Sequence, residues 1–211
     1  MDLHLWLAYV AAAFLIAVSP GSGAVLSMSH GLAYGVRKAS ATIGGLQLGL
    51  LLILLVAGAG VGSLLLASEL AFNVVKVLGA LYLIYLGWCQ WRAGGASPLA
   101  GAHEVPAGSW RKRCLTGFLT NATNPKGIIF MVAVLPQFMT DTRPLWTQLV
   151  VMAATTVTVD VVVMHGYAAG ASALRRLMRS ARAVRAQNRV FGGLLMAVGA
   201  GLFFVKRGGQ Q

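Results

Sequence analysis

The chain reads as an all-α membrane protein, with six transmembrane helices arranged as two inverted three-helix repeats and helices 1 and 4 broken at proline. Three observations predict this. The chain is 57% hydrophobic and only 10% charged, with mean hydropathy +0.74, where a soluble domain carries about 25% charged residues. Apolar runs of spanning length, about 20 residues, recur along most of the 211 residues. Two of those runs carry a proline motif at corresponding positions, Ser19-Pro20-Gly21-Ser22-Gly23 and Asn121-Ala122-Thr123-Asn124-Pro125-Lys126.

The first run extends from Leu3 to about Met28 and breaks at Ser19-Pro20-Gly21. Its start carries only Asp2 and His4 and no basic leader, so it is expected to be a retained helix rather than a cleaved signal peptide. The second run is about Ala41 to Leu66, with Gln47 its one strongly polar side chain; the third is Leu70 to Trp91 and contains Lys76, which can snorkel outward. A Gly/Ala/Pro-rich loop, 93–109, separates the half-repeats, about 1–92 and 110–207, within one transmembrane domain, 1–211. The fourth run is about Cys114 to Phe138, the fifth about Leu145 to Ser172, and the sixth Val190 to Val205.

Charge sets orientation. Arg37 and Lys38, Arg92 with Arg111, Lys112 and Arg113, and Arg175, Arg176, Arg179, Arg182, Arg185 and Arg189 fall in alternate connections. By the positive-inside rule these are cytoplasmic, which makes both termini extracytoplasmic. Lys206 and Arg207 oppose this but are outnumbered. The +12 net charge therefore does not imply nucleic acid, since it is spread between apolar runs rather than gathered on one patch. Leu174, Leu177, Met178, Ala181 and Val184 recur at helical spacing among arginines. They read equally as an amphipathic helix on the inner leaflet or as a solvated basic loop.

Three helices per half is an odd number, so the second half enters the membrane from the opposite side. Paired interruptions at matching positions are a pointer to a transporter's central site. Each proline is expected at the first position of a new helix, with Ser19 or Asn124 as N-cap. Such an end carries about half a positive charge and free N–H donors, which suit a carboxylate. We expect Ser19, Pro20, Gly21, Ser22, Gln47, Asn121, Asn124, Pro125 and Lys126 to form a substrate site. Lys126 either adds a charge for the solute or pairs with Asp160.

Asp160 lies mid-helix, where an aspartate costs about 2.5–3.5 kcal/mol to insert. It is expected to serve as countercharge to an ammonium, as proton carrier, or as partner of Lys126. His165, five residues on, is about 140° round the helix and need not share its face. Gly193, Ala197 and Gly201, and Gly58 and Gly62, permit close helix packing, within one chain or across a homodimer. His4, His30 and His103 lack metal spacing, and Cys89 and Cys114 suggest reduced thiols. No cofactor, metal or catalytic constellation is expected, so the chain does not read as an enzyme.

Ser19 to Ala24 and Gly45-Leu46-Gln47-Leu48-Gly49-Leu50 resemble the first-half signature of the lysine exporter (LysE/RhtB) superfamily. Leu78 to Gly87 is similar to its third helix, and Asn121 to Lys126 with Leu135-Pro136-Gln137-Phe138 to its fourth. Thr155-Thr156, Val159-Asp160, Val163-Met164 and Gly166-Tyr167-Ala168 resemble the homoserine/homoserine-lactone exporter branch. The resemblance implies an inner-membrane exporter of small amino acids or derivatives, driven by protons. The expected partners are then an amino-acid-type solute, protons and the lipid bilayer. A channel or cation carrier is the rival within transport; a membrane-embedded enzyme or a scaffold is the rival outside it.

Overall fold

The computed structural model describes residues 1–67, 69–95, 108–140, 143–171, 173 and 180–203, which contain helices and no strand. In chain order they are α1 (Leu3–Val18), α2 (Ser22–Tyr34), α3 (Val36–Ala67), α4 (Glu69–Arg92), α5 (Trp110–Ala122), α6 (Pro125–Val134), α7 (Leu145–Ala169) and α8 (Ala181–Leu202). A 3-10 turn, Leu135–Phe138, follows α6. Among the described residues, two helices are long and apolar enough to cross a membrane, Val36–Gly60 of α3 and Leu145–Ala169 of α7. The number becomes four if each of the two bent pairs, α1 with α2 and α5 with α6, is one span.

Both breaks fall at the prolines, but they are built differently. At the second, Asn124 takes φ −74°, ψ 107°, the extended conformation that a following proline imposes. Pro125 then opens α6, and the Asn124 carboxamide accepts from the Lys126 amide at 3.1 Å. α5 and α6 meet at 52°. At the first, Ser19 ends α1 instead of starting the next helix, and α2 begins at Ser22 after Gly21, with no side-chain cap. The expectation of an N-cap at Ser19 with Pro20 first in the new helix is therefore corrected. The reason lies across the bundle: the Ser19 carbonyl is taken by the Lys126 ammonium. The bend here is 58°.

α8 begins at Ala181, nine residues before the apolar stretch that starts at Val190. Ser180 caps it, accepting from the Ala183 amide at 3.4 Å. Arg182, Arg185 and Arg189 are exposed while Val184 is buried, so a charged first segment continues one amphipathic helix. Ala181 and Val184 thus belong to α8. Leu174, Leu177, Met178, Arg175, Arg176, Arg179, His103, Asp141, Lys206, Arg207, most of the 93–109 loop and the surroundings of Gly62 lie outside what is described.

The helices pack through glycine where backbones touch. α3 lies against α5, and α4 against α8. A Cβ added at Gly45 would fall 1.9 Å from the Cys114 carbonyl oxygen, and one at Gly117 would fall 2.1 Å from that of Thr42. Between α4 and α8, Gly87 and Gly192 each leave a Cβ only 2.5 Å from the other's carbonyl. Lipid supplies no hydrophobic drive between helices, so such close approach and its dispersion contacts hold the bundle. The stripe Gly193, Ala197, Gly201 is only partly used. Gly193 faces the Trp91 ring, Ala197 is exposed, and Gly201 meets nothing within 4 Å. Gly58 meets the Leu149 side chain.

The middle helices tie the breaks together. α3 contacts α2, α5 and α6; α7 contacts α1 and α2; and α3 and α7 contact each other. Two buried apolar clusters result. One gathers Tyr9, Leu54, Met131, Leu135 and Met152; the other gathers Ala24, Met28, Ile43, Met164 and Ala168. Asp2 pairs with Arg143 at 3.0 Å, which joins the start of α1 to the start of α7. Arg113 donates to the Lys38 carbonyl at 3.2 Å, which joins the starts of α3 and α5.

Candidate functional site

Between the two apolar clusters lies a cavity of about 70 Å³. Its polar wall comes from both breaks and from α7: Ser19, Gly21, Asn121, Asn124, Lys126, Thr156 and Asp160. Its apolar wall includes Ala13, Ile16 and Ala17 of α1, Leu46 and Leu50 of α3, Phe130 and Met131 of α6, and Met164 of α7.

Lys126 stands in the first turn of α6 and reaches across to the other break. Its Nζ donates to the Ser19 carbonyl at 2.8 Å and to the Ile16 carbonyl at 3.4 Å. These oxygens belong to the last turn of α1, where a helix leaves its carbonyls unpaired and its dipole is negative. The ammonium therefore caps α1. The methylene stem passes Gly21, with Cδ 3.8 Å from where a Cβ would stand.

Asp160 projects from the middle of α7. Its Oδ2 accepts from Gln47 Nε2 at 2.7 Å. Among the described residues no ion pair joins Asp160 to Lys126; the pair within 4.0 Å is that of Arg143 and Asp2. Both charges instead border the same cavity. Of the two alternatives for Lys126, the direct pair with Asp160 is absent, and its carbonyl partners on α1 were not foreseen. Asn121 holds the other side of the break in place, donating to the Leu46 carbonyl at 2.8 Å.

Six of the ten expected site residues line the cavity: Ser19, Gly21, Asn121, Asn124, Lys126 and Asp160. Four do not. Ser22 and Pro125 are exposed, Pro20 is half-buried beside the turn, and Gln47 is buried behind Asp160. The prolines thus act through the backbone. His165 is turned away from Asp160 and bonds the Val161 carbonyl at 2.8 Å and Ser40 at 3.1 Å. Among the described residues no three His, Cys, Asp or Glu side chains are grouped to hold a metal.

Three residues were not expected at the site, although Thr156 and Tyr167 belong to motifs that carry the family resemblance. Thr156 lines the cavity one turn from Asp160, and its hydroxyl lies 2.5 Å from that of Tyr9. Tyr167 donates to the Val18 carbonyl at 2.6 Å, the turn where α1 ends. A signal was present in the spacing. Tyr9, Ala13 and Ala17 recur every four residues and are all buried. Met152, Thr156, Asp160 and Met164 recur the same way on α7, three of them buried and Asp160 half-buried. Such stripes mark the inward faces of two helices.

An apolar helical bundle with a charged, partly enclosed centre built on two interrupted helices defines an integral membrane protein with an internal polar cavity. The chain belongs to the LysE type translocator family, whose model matches residues 14–206. It is 42% identical over 202 residues to an uncharacterized membrane protein of Vibrio cholerae, covering 94% of this chain and 96% of that one. It is 40% identical to the homoserine/homoserine lactone efflux protein of Salmonella typhimurium over 201 residues, 95% of this chain and 96% of that one. It is 33% identical to a leucine efflux protein of Enterobacter over 141 residues, 65% and 64% of the two chains. No solved structure matches.

Proposed function

We propose that this protein exports small amino acids or close derivatives, of the homoserine, homoserine lactone and threonine type, across the bacterial inner membrane by proton antiport. The observation that carries the reading is the pair of unjoined charges on one cavity. Lys126 and Asp160 border the same space without an ion pair between them. A zwitterionic amino acid complements that arrangement. Its carboxylate meets the Lys126 ammonium, which has three N–H donors and two carbonyl acceptors already in place. The carboxylate also meets the uncapped start of α2. Its ammonium meets Asp160. A lactone lacks the free carboxylate and uses the same N–H groups as neutral donors.

The proton enters through Asp160, the acidic side chain that lines the cavity. When protonated it releases the amine, and when charged it holds it. The efflux proteins of Salmonella and Enterobacter support the direction and the solute class. Apolar clusters on either side of the cavity suit a carrier with two gates better than an open pore.

The topology is six spans in two inverted halves. α4, of 24 residues, and the part of α8 from Val190 onward supply the remaining two spans. Exchanging the halves maps the α3–α5 contact onto α7–α1 and the α3–α6 contact onto α7–α2, and both members of each pair occur. Both termini are extracytoplasmic by the positive-inside rule, and the Asp2–Arg143 pair sets the N-terminus beside the start of α7.

The test is transport by purified protein in liposomes under an imposed pH gradient, with a panel of homoserine, homoserine lactone, threonine, leucine and lysine. Homoserine is expected to move against its concentration when protons move the other way. Movement indifferent to the gradient overturns the antiport. A panel in which nothing moves overturns the solute class.

A further inference from the structure

Gln47 is buried behind Asp160, and the two ends of its carboxamide stand in different situations. Nε2 donates to Asp160 Oδ2 at 2.7 Å. Oε1 is buried with no hydrogen-bond partner among the described residues. An unpaired buried acceptor is costly, and it asks for an explanation. The two ends of a carboxamide have nearly the same size and differ in that one donates and the other accepts. A carboxylate can only accept, whereas a carboxylic acid also donates. Half a turn about the last side-chain bond would therefore let Gln47 serve either form of Asp160. The amide N–H end donates to the carboxylate, and the carbonyl end accepts the acid's O–H. A lysine or arginine there would suit the charged form alone. Among the described residues the far end has no partner that would hold the carboxamide in one orientation.

We propose that Gln47 is a positioning residue whose carboxamide reverses when Asp160 takes up a proton, so that Asp160 stays joined to α3 in both states. This rests on the reading of Asp160 as the proton carrier. The titratable groups on the surrounding elements are otherwise engaged. Tyr9 on α1 is held by Thr156, His30 on α2 by Thr42, and His165 and Tyr167 on α7 by Ser40 and the Val18 carbonyl. Lys126 on α6 faces the same cavity from the α1 carbonyls.

The test is the infrared difference spectrum of the whole protein in liposomes between alkaline and acid pH. Wild type is expected to show a carboxylic-acid band that Asp160→Asn removes. It is also expected to show a glutamine carbonyl band, identified by ¹³C labelling of glutamine side chains in the unaltered sequence, that Asp160→Asn removes as well. Gln47→Met, close in size and unable to bond, should shift the acid band and abolish the amide change. Gradient-driven accumulation in that variant should fall about tenfold, the factor that loss of one hydrogen bond to a charged group carries. An acid band lost in Asp160→Asn with no amide change overturns the role of Gln47 and leaves the proton reading standing. If no acid band depends on Asp160, the proton reading fails, and the proposal fails with it. The labelled wild type decides the matter even if Gln47→Met does not fold.

Discussion

The Lys126 ammonium lies 2.8 Å from the main-chain carbonyl of Ser19, so the charge of one helix break closes the open end of the other. Two interruptions about a hundred residues apart in sequence thereby become one structure. The same ammonium borders the cavity, and its hold on α1 and any hold on a solute are linked.

Replacing Lys126 with Met should abolish this link. Two partly buried carbonyls lose their donor, at a cost of about 1–3 kcal/mol. Transport should fall by more than about tenfold, because the solute carboxylate loses its countercharge. Detergent melting and liposome export measure the two effects separately. Wild-type export by the folded variant would remove Lys126 from the site.

Asp160→Asn should keep the bond to Gln47, as one amide to another, and stay within about 1 kcal/mol of wild-type stability. Gradient-driven accumulation should disappear. Accumulation at the wild-type rate would end the proposed role of Asp160.

The α3–α5 contact separates two adjacent glycines. Gly45→Leu drives a side chain into the Cys114 backbone and should cost 3 kcal/mol or so, at the upper end of overpacking. Gly44→Ala meets nothing within 4 Å and should change stability by less than about 1 kcal/mol. Thermal melts of the two variants compare them directly. Equal effects would mean that α3 and α5 are not packed in this register.

Tyr9→Phe and Thr156→Val both remove the hydroxyl pair that joins α1 to α7. The double variant should show a coupling energy of about 1 kcal/mol. Simple additivity in a melting-based cycle would show that the two hydroxyls do not bond.

Asn124→Ala deletes the cap on the Lys126 amide. Stability should drop by about 1 kcal/mol, and transport should drop further than membrane insertion, since the cap sets where Lys126 begins. A loss of expression alone would reduce this break to a structural kink.

Much of the architecture was legible because a bilayer imposes simple demands on sequence. Length and apolarity mark where helices run, and the residue before each proline had to leave the helical region, as Ser19 and Asn124 both do. Asp160, Lys126 and Asn121 stood out because polar groups at such depth are expensive. α8 was misjudged at its start because exposed Arg182, Arg185 and Arg189 hide a helix from a reading based on hydropathy. Tyr9 and Thr156 were not expected at the site because each is unremarkable in its own helix, and only their meeting gives them a role.

The sequence by itself determined that the chain is a helical membrane protein with two interrupted helices and a few costly polar groups, because those properties depend on local composition and backbone sterics. Only the tertiary structure decided who meets whom. Lys126 takes the carbonyls of α1 instead of Asp160, Gln47 stands behind the cavity instead of in it, and Ser19 ends a helix instead of starting one. Each outcome follows from contacts between segments distant in the chain, which no single segment's chemistry can specify.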